Sequence, residues 1–186
     1  MRYLFKSSVV LLILLSACNF PGTEQTIVPE TAPAKPTETP AQDVPYTECG
    51  FVWAREPLAE LSKEFDAALK AVQPQASGYA EAYGENCLNN QGEVVRFVAM
   101  ETDFYVTLRV RDLEDKQILG ESIEQVLAAV SEFPIEQTPG PQPGYVGITF
   151  EAPDDKLRMW FTQLEAQAAI DKGLQGEELF NSLQAE

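Results

Sequence analysis

The chain contains no histidine. That absence excludes Ser-His-Asp and Cys-His nucleophilic catalysis and removes the commonest protein ligand for zinc and copper. Basic residues are scarce as well. In 186 residues, 13 lysines and arginines face 29 aspartates and glutamates, a net charge of −16. A surface of that sign repels nucleic acid and anionic lipid headgroups, so no nucleic-acid partner and no membrane contact through basic patches is expected. There is no EF-hand spacing and no Ser-x-x-Lys pair beyond residue 45, and no internal repeat. The Pro-Gly stretch Pro139-Gly140-Pro141-Gln142-Pro143-Gly144 lacks the lysine and hydroxyl residue of a phosphate loop and reads as a stiff connector. No metal site and no cofactor is expected from this inventory.

What is present begins at the N-terminus. Arg2 and Lys6 supply positive charge, Val9 to Leu15 form an apolar run, and the small residues Ser16 and Ala17 precede Cys18. A charged start, a short apolar core and a small-residue cut site are the three parts of a secretory signal. The run is far short of the roughly 20 residues that span a bilayer as a helix. Leu15-Ser16-Ala17-Cys18 resembles the lipobox of bacterial lipoproteins. The resemblance covers residues 1–18 and implies cleavage before Cys18, lipidation of its thiol and anchoring to a membrane through that lipid. Two or three acyl chains, at about 0.8 kcal/mol per buried methylene, anchor stably where one chain is marginal. The expected location is therefore extracytoplasmic, lipid-anchored to the cell membrane or outer surface. Asn19 in place of aspartate leans toward outer display. Loss of residues 1–17 leaves 11 basic against 29 acidic residues, a net charge of −18.

Residues 19–45 hold six prolines (21, 29, 33, 36, 40, 45) and five threonines (23, 26, 31, 37, 39) without apolar periodicity. Residues 18–45 read as a lipidated cysteine followed by a tether, with a polyproline II reach of about 80 Å. Residues 46–186 have the length of one domain. Cys49 and Cys87 both fall in it. Once Cys18 is given to lipid they are an even pair in an oxidising compartment, and a disulfide between them is expected.

Within the domain, Leu58, Leu61, Phe65, Leu69 and Val72 form one apolar stripe, which predicts a helix over Pro57–Val72. Tyr79–Cys87 and Val94–Met100 read as a strand pair, and Phe104–Arg111 as a third strand with Phe104, Val106, Leu108 and Val110 on one side. Val95, Phe97 and Ala99 carry the opposite parity, which places a bulge or tight turn at Met100–Asp103. Asp115 caps a second helix running to Phe133. Tyr145–Glu151 and Leu157–Thr162 form a hairpin; Gln163–Lys172 and Glu177–Leu183 are helical, with Gly173 between them. The order helix, three strands, helix, two strands, helices predicts an α+β fold: an antiparallel sheet of about five strands with helices packed on one face.

The candidate binding surface is the other face. Tyr105, Arg109 and Arg111 share the polar side of their strand, and Arg158 and Trp160 share a side of theirs, opposite Leu157, Met159 and Phe161. Binding patches are enriched in arginine and aromatic residues, and in so acidic a chain these arginines would be a local positive region. Cross-strand pairing on an ordinary solvated face accounts for the same residues. Three functions are compatible with the sequence. The first is a non-catalytic module binding an envelope protein or ligand. The second is an accessory structural subunit of an envelope complex. The third is a hydrolase using carboxylates alone.

Overall fold

The computed structural model describes residues 49–184. The expected signal peptide, lipobox, lipidated Cys18 and tether all lie outside the described residues. Nine main elements follow in order: β1 (Gly50–Pro57), α1 (Ala59–Val72), β2 (Ser77–Leu88), β3 (Val94–Arg109), α2 (Lys116–Val130), β4 (Gln142–Glu151), β5 (Lys156–Thr162), α3 (Gln163–Asp171) and α4 (Gly176–Gln184). A single 3-10 turn, Ile135–Gln137, precedes β4. The strands form one five-stranded sheet in the order β1-β2-β3-β4-β5.

The α+β class holds, with two corrections. The sheet is mixed: β3 and β4 are parallel, while the other three pairs are antiparallel. The reason is the helix between them. The 15 residues of α2 run back for about 22 Å, so β4 starts beside Glu101, midway along β3, and runs in the same direction. The second correction is the element order. A strand, β1, precedes α1, and the two segments either side of Met100 are one 16-residue strand, β3. The parity switch is real. β2 pairs Tyr83 with Glu101 but Gly84 with Ala99, so Met100 is the extra residue of a bulge that exchanges the two faces.

One side of the sheet is roofed by helices. Ala80 of β2, Phe104, Val106 and Leu108 of β3, Val146, Ile148 and Phe150 of β4, and Met159 and Phe161 of β5 join Phe65 and Leu69 of α1 in one core. Leu119, Ile123 and Val126 of α2 and Leu179, Phe180 and Leu183 of α4 complete it. Burial of each such side chain stabilises by roughly 1.5–3 kcal/mol relative to exposure. Asp115 caps α2, its carboxylate accepting from the Ile118 N–H at 3.2 Å. Helix α4 has its first amides met from outside: Gly176 N–H donates to Glu124 Oε1 and Glu177 N–H to Gln117 Oε1, at 2.7 and 3.1 Å. This needs α2 and α4 in close contact, and glycine permits it. A Cβ on Gly120 would stand 1.8 Å from the Gly176 carbonyl oxygen.

Cys49 and Cys87 are joined in a disulfide, with Cα atoms 5.0 Å apart. Cys87 lies near the end of β2, opposite Phe51 of β1, so the bond fastens the start of the edge strand to its neighbour.

Candidate functional site: the open face of the sheet

The side chains that alternate with the core set point away from the helices, and cross-strand register sorts them into rungs. The first runs Tyr79, Tyr105, Gly147, Trp160 across β2 to β5. The second is Ser77, Thr107, Thr149, Arg158, and the third, on β3 to β5, is Arg109, Glu151, Lys156. An aromatic rung is thus followed by a hydroxyl rung ending in arginine, and then by a charged rung. In the charged rung, the Lys156 ammonium pairs with Glu151 and holds its carboxyl below the usual range.

The aromatic rung is tightly organised. Tyr79 and Tyr105 stack with ring centres 4.7 Å apart, Trp160 is tilted against Tyr105 at 5.3 Å, and Tyr145 stacks on Trp160 at 5.3 Å. Such pairs contribute about 0.5–1.5 kcal/mol each beyond burial. Gly147 makes the arrangement possible. A Cβ there would lie 2.5 Å from Trp160 Cζ3 and 3.3 Å from Tyr105 Cδ1, so only a bare backbone lets the indole lie across β4. Trp160 nevertheless remains 45 % exposed. Between the aromatic and hydroxyl rungs lies a groove of about 440 Å³, lined by Tyr79, Tyr105, Thr107, Gly147, Thr149, Arg158 and Trp160 among others.

Toward β1 the face is held by a charge knot. The Arg55 guanidinium lies over Tyr83 and Tyr105, 5.3 and 5.8 Å from the ring centres, and pairs with Asp103 at 3.3 Å and Glu81 at 3.6 Å. It also donates to the Tyr105 hydroxyl. Asp103 is 1 % exposed. Its second oxygen accepts from the Tyr145 N–H at 2.9 Å. That bond explains a register jump. Thr102 pairs with Pro143 and Phe104 with Val146, so β4 sets two residues against one, and the Asp103 side chain receives the amide left over. Burial pushes the Asp103 carboxyl up, against the lowering effects of Tyr145 and Arg55; burial, and then the neighbouring Asp103 charge, do the same to Glu101. With its oxygens occupied by Tyr145 and Arg55, Asp103 serves the architecture. Beyond it, Trp53 stacks on Tyr83 at 5.3 Å and extends the aromatic band to β1.

Of the residues singled out from sequence, Tyr105 and Arg109 lie on the open side of β3, and Arg158 and Trp160 on the open side of β5. Tyr105, Arg158 and Trp160 meet around the groove, which Arg109 does not line. Arg111 lies past the end of β3, exposed in the connection to α2. Trp53, Arg55, Tyr79, Tyr83, Tyr145 and Gly147 escaped sequence reasoning. A signal for the tyrosines was there: Tyr79, Glu81, Tyr83 and Glu85 alternate with Ala80, Ala82 and Gly84, so the small set had to face inward for the strand to have a polar outer side.

A larger hollow of about 610 Å³ lies on the helix side, bounded by Leu127, Val130, Phe133, Ile135, Leu164 and Ile170 among others. Its one carboxylate, Glu124, is committed to the Gly176 N–H, and no cationic group lines it. No group of three or more acidic or cysteine side chains among the described residues converges as a metal site. Nor is any described helix long and apolar enough to cross a membrane. Comparison of the chain with protein-family models, curated proteins and solved structures finds no match in any of the three.

Proposed function

We propose that the protein is an exported bacterial lipoprotein whose domain is a non-catalytic binding module, held on a membrane by lipid on Cys18 and presented on the 18–45 tether. The observation that supports the binding reading is the open sheet face. It carries an aromatic band from Trp53 to Trp160, shaped around Gly147 and bordered by arginines, with large exposed rings. Exposed aromatic and arginine clusters are the usual energetic centres of recognition surfaces. A second reading, an accessory subunit of an envelope complex, is favoured by another observation. Where β1, β2 and the start of β3 pair, Phe51, Val52, Trp53, Val94, Val95 and Val98 are all exposed. So many exposed apolar side chains at one corner of a sheet are characteristic of protein contacts.

Two experiments test the proposal. Mass spectrometry of the membrane-bound protein from a producing bacterium is expected to show a diacylated or triacylated cysteine at position 18, and Cys18→Ser to release the chain or leave it uncleaved. An unmodified N-terminus elsewhere would overturn the anchoring. For the domain, a photo-crosslinking residue at Arg109 is expected to capture an envelope component that one at Lys63 on α1 does not. Arg109→Glu should reduce that capture with the melting temperature nearly unchanged. Equal capture from both positions, or from neither, counts against a binding face.

A further inference from the structure

The groove between the aromatic and hydroxyl rungs has features that the general binding reading does not use. Trp160 packs one face on Tyr145, which lies on the side away from the hydroxyl rung, so its other face is turned to the groove. Thr107 and Thr149 present side-chain hydroxyls that engage no protein group among the described residues. Arg158, at the end of that rung, enters no ion pair there. Two other cations on this face are answered, Arg55 by Asp103 and Glu81 and Lys156 by Glu151, while Arg109 sits one rung beyond the groove and does not line it.

From this we infer that the groove binds a saccharide unit bearing a carboxylate, its ring stacked on Trp160, its hydroxyls on Thr107 and Thr149, and its carboxylate on Arg158. The inference rests on the reading of the open face as a binding surface. The chemistry runs as follows. One side of a pyranose ring presents weakly positive C–H bonds, which meet the negative face of an indole. The rim of the same ring carries hydroxyls that both donate and accept, and threonine hydroxyls can serve either partner. A guanidinium with free donors takes a carboxylate in two parallel hydrogen bonds. The acidic whole does not forbid an anion, because charges beyond about 8 Å are screened at physiological ionic strength, while Arg158 is in direct reach.

A peptide fits less well. Extended peptides bind sheets by adding along a strand edge; the free edge here is the outer side of β5, whereas the groove opens on the face of the sheet, lined from β2 to β5. The groove's volume suits a compact ring more than a helix, which needs a longer apolar trough than these ten mixed residues supply.

The test uses the lipid-free mature chain and two probes, a hyaluronan tetrasaccharide, which carries glucuronate, and chitotetraose, which is neutral. Calorimetric titration is expected to show binding of the acidic probe, in the range of about 10–100 μM, and at least tenfold weaker binding of the neutral one. Arg158→Ala should weaken the acidic probe about tenfold to a hundredfold and Trp160→Ala about tenfold, while Lys63→Ala leaves it unchanged. In a Trp53→Phe background Trp160 is the one remaining tryptophan, and its emission should shift on binding. Melting curves guard against misfolding, and Thr149→Val, which keeps the side-chain shape, should still cost several-fold. Equal affinity for both probes, or indifference to Arg158→Ala, overturns the proposal. So does a failure of both probes to bind. If Arg109 crosslinks an envelope component all the same, that failure removes the saccharide and leaves the binding face standing; if it does not, both fall.

Discussion

Asp103 shows how one residue can be an architectural part and a titrating group at once. It supplies the acceptor that the β4 bulge needs for the Tyr145 N–H and the anion that holds Arg55 over the tyrosines. Burial is the first cause of its raised pKa, and Glu101 is raised in the same direction. The sign follows from linkage. The unfolded chain releases these protons at lower pH than the folded one, so their contribution to stability is fully present below the unfolded carboxylate range. It is lost as pH rises through the folded values. Asp103→Asn should cost about 1–2 kcal/mol at neutral pH through the weakened Arg55 contact. As pH falls toward the ordinary carboxylate range, the wild type should gain on the variant and the gap between their melting temperatures should widen. Parallel pH profiles would show that Asp103 does not titrate as its burial requires.

At the scale of elements, much of the fold was legible from periodicity. The stripes of α1 and α2, the Asp115 cap, the β4–β5 hairpin and the bulge near Met100 all follow from where apolar residues fall. Strand β1 did not, because it is an edge strand with no buried face. Seven of its eight residues are exposed, so no alternation separates an inner from an outer side. The parallel β3–β4 pair was hidden for a different reason. The strands alternate polar and apolar as antiparallel strands do, since only one side of this sheet is roofed; the pairing sense is set by the length of α2. The capping of α4 by Gln117 and Glu124 is a tertiary fact with no local signature. The same limit applied to the site. Arginine and aromatic residues on β3 and β5 could be placed on one face by parity. The glycine that shapes Trp160, and the rung that aligns Tyr79, Tyr105 and Trp160, depend on register between strands far apart in sequence.

For the whole molecule, the Cys49–Cys87 bond spans 38 residues and encloses β1, α1 and most of β2. Removing that much loop freedom from the unfolded chain stabilises by about 4 kcal/mol in the chain-entropy account, a large share of the ~5–15 kcal/mol typical of a domain. Replacing both cysteines with serine should therefore lower the urea midpoint by roughly a third or more of its value. Coincident urea curves with and without reductant would show that the bond adds nothing.

The position of that bond also decides where a pull would go. A load arriving through the chain ahead of Cys49 would otherwise fall on β1, an edge strand bonded on one side, and open its ladder one rung at a time, like a zipper. The disulfide diverts the load past β1 into β2, which is bonded by β1 on one side and β3 on the other. Force then has to shear an interior strand along its length. The 37 residues between the two sulfurs cannot extend while the bond is intact, so reduction would free about 130 Å of chain. The domain's resistance to pulling from its N-terminal side is thereby set by the redox state of one bond.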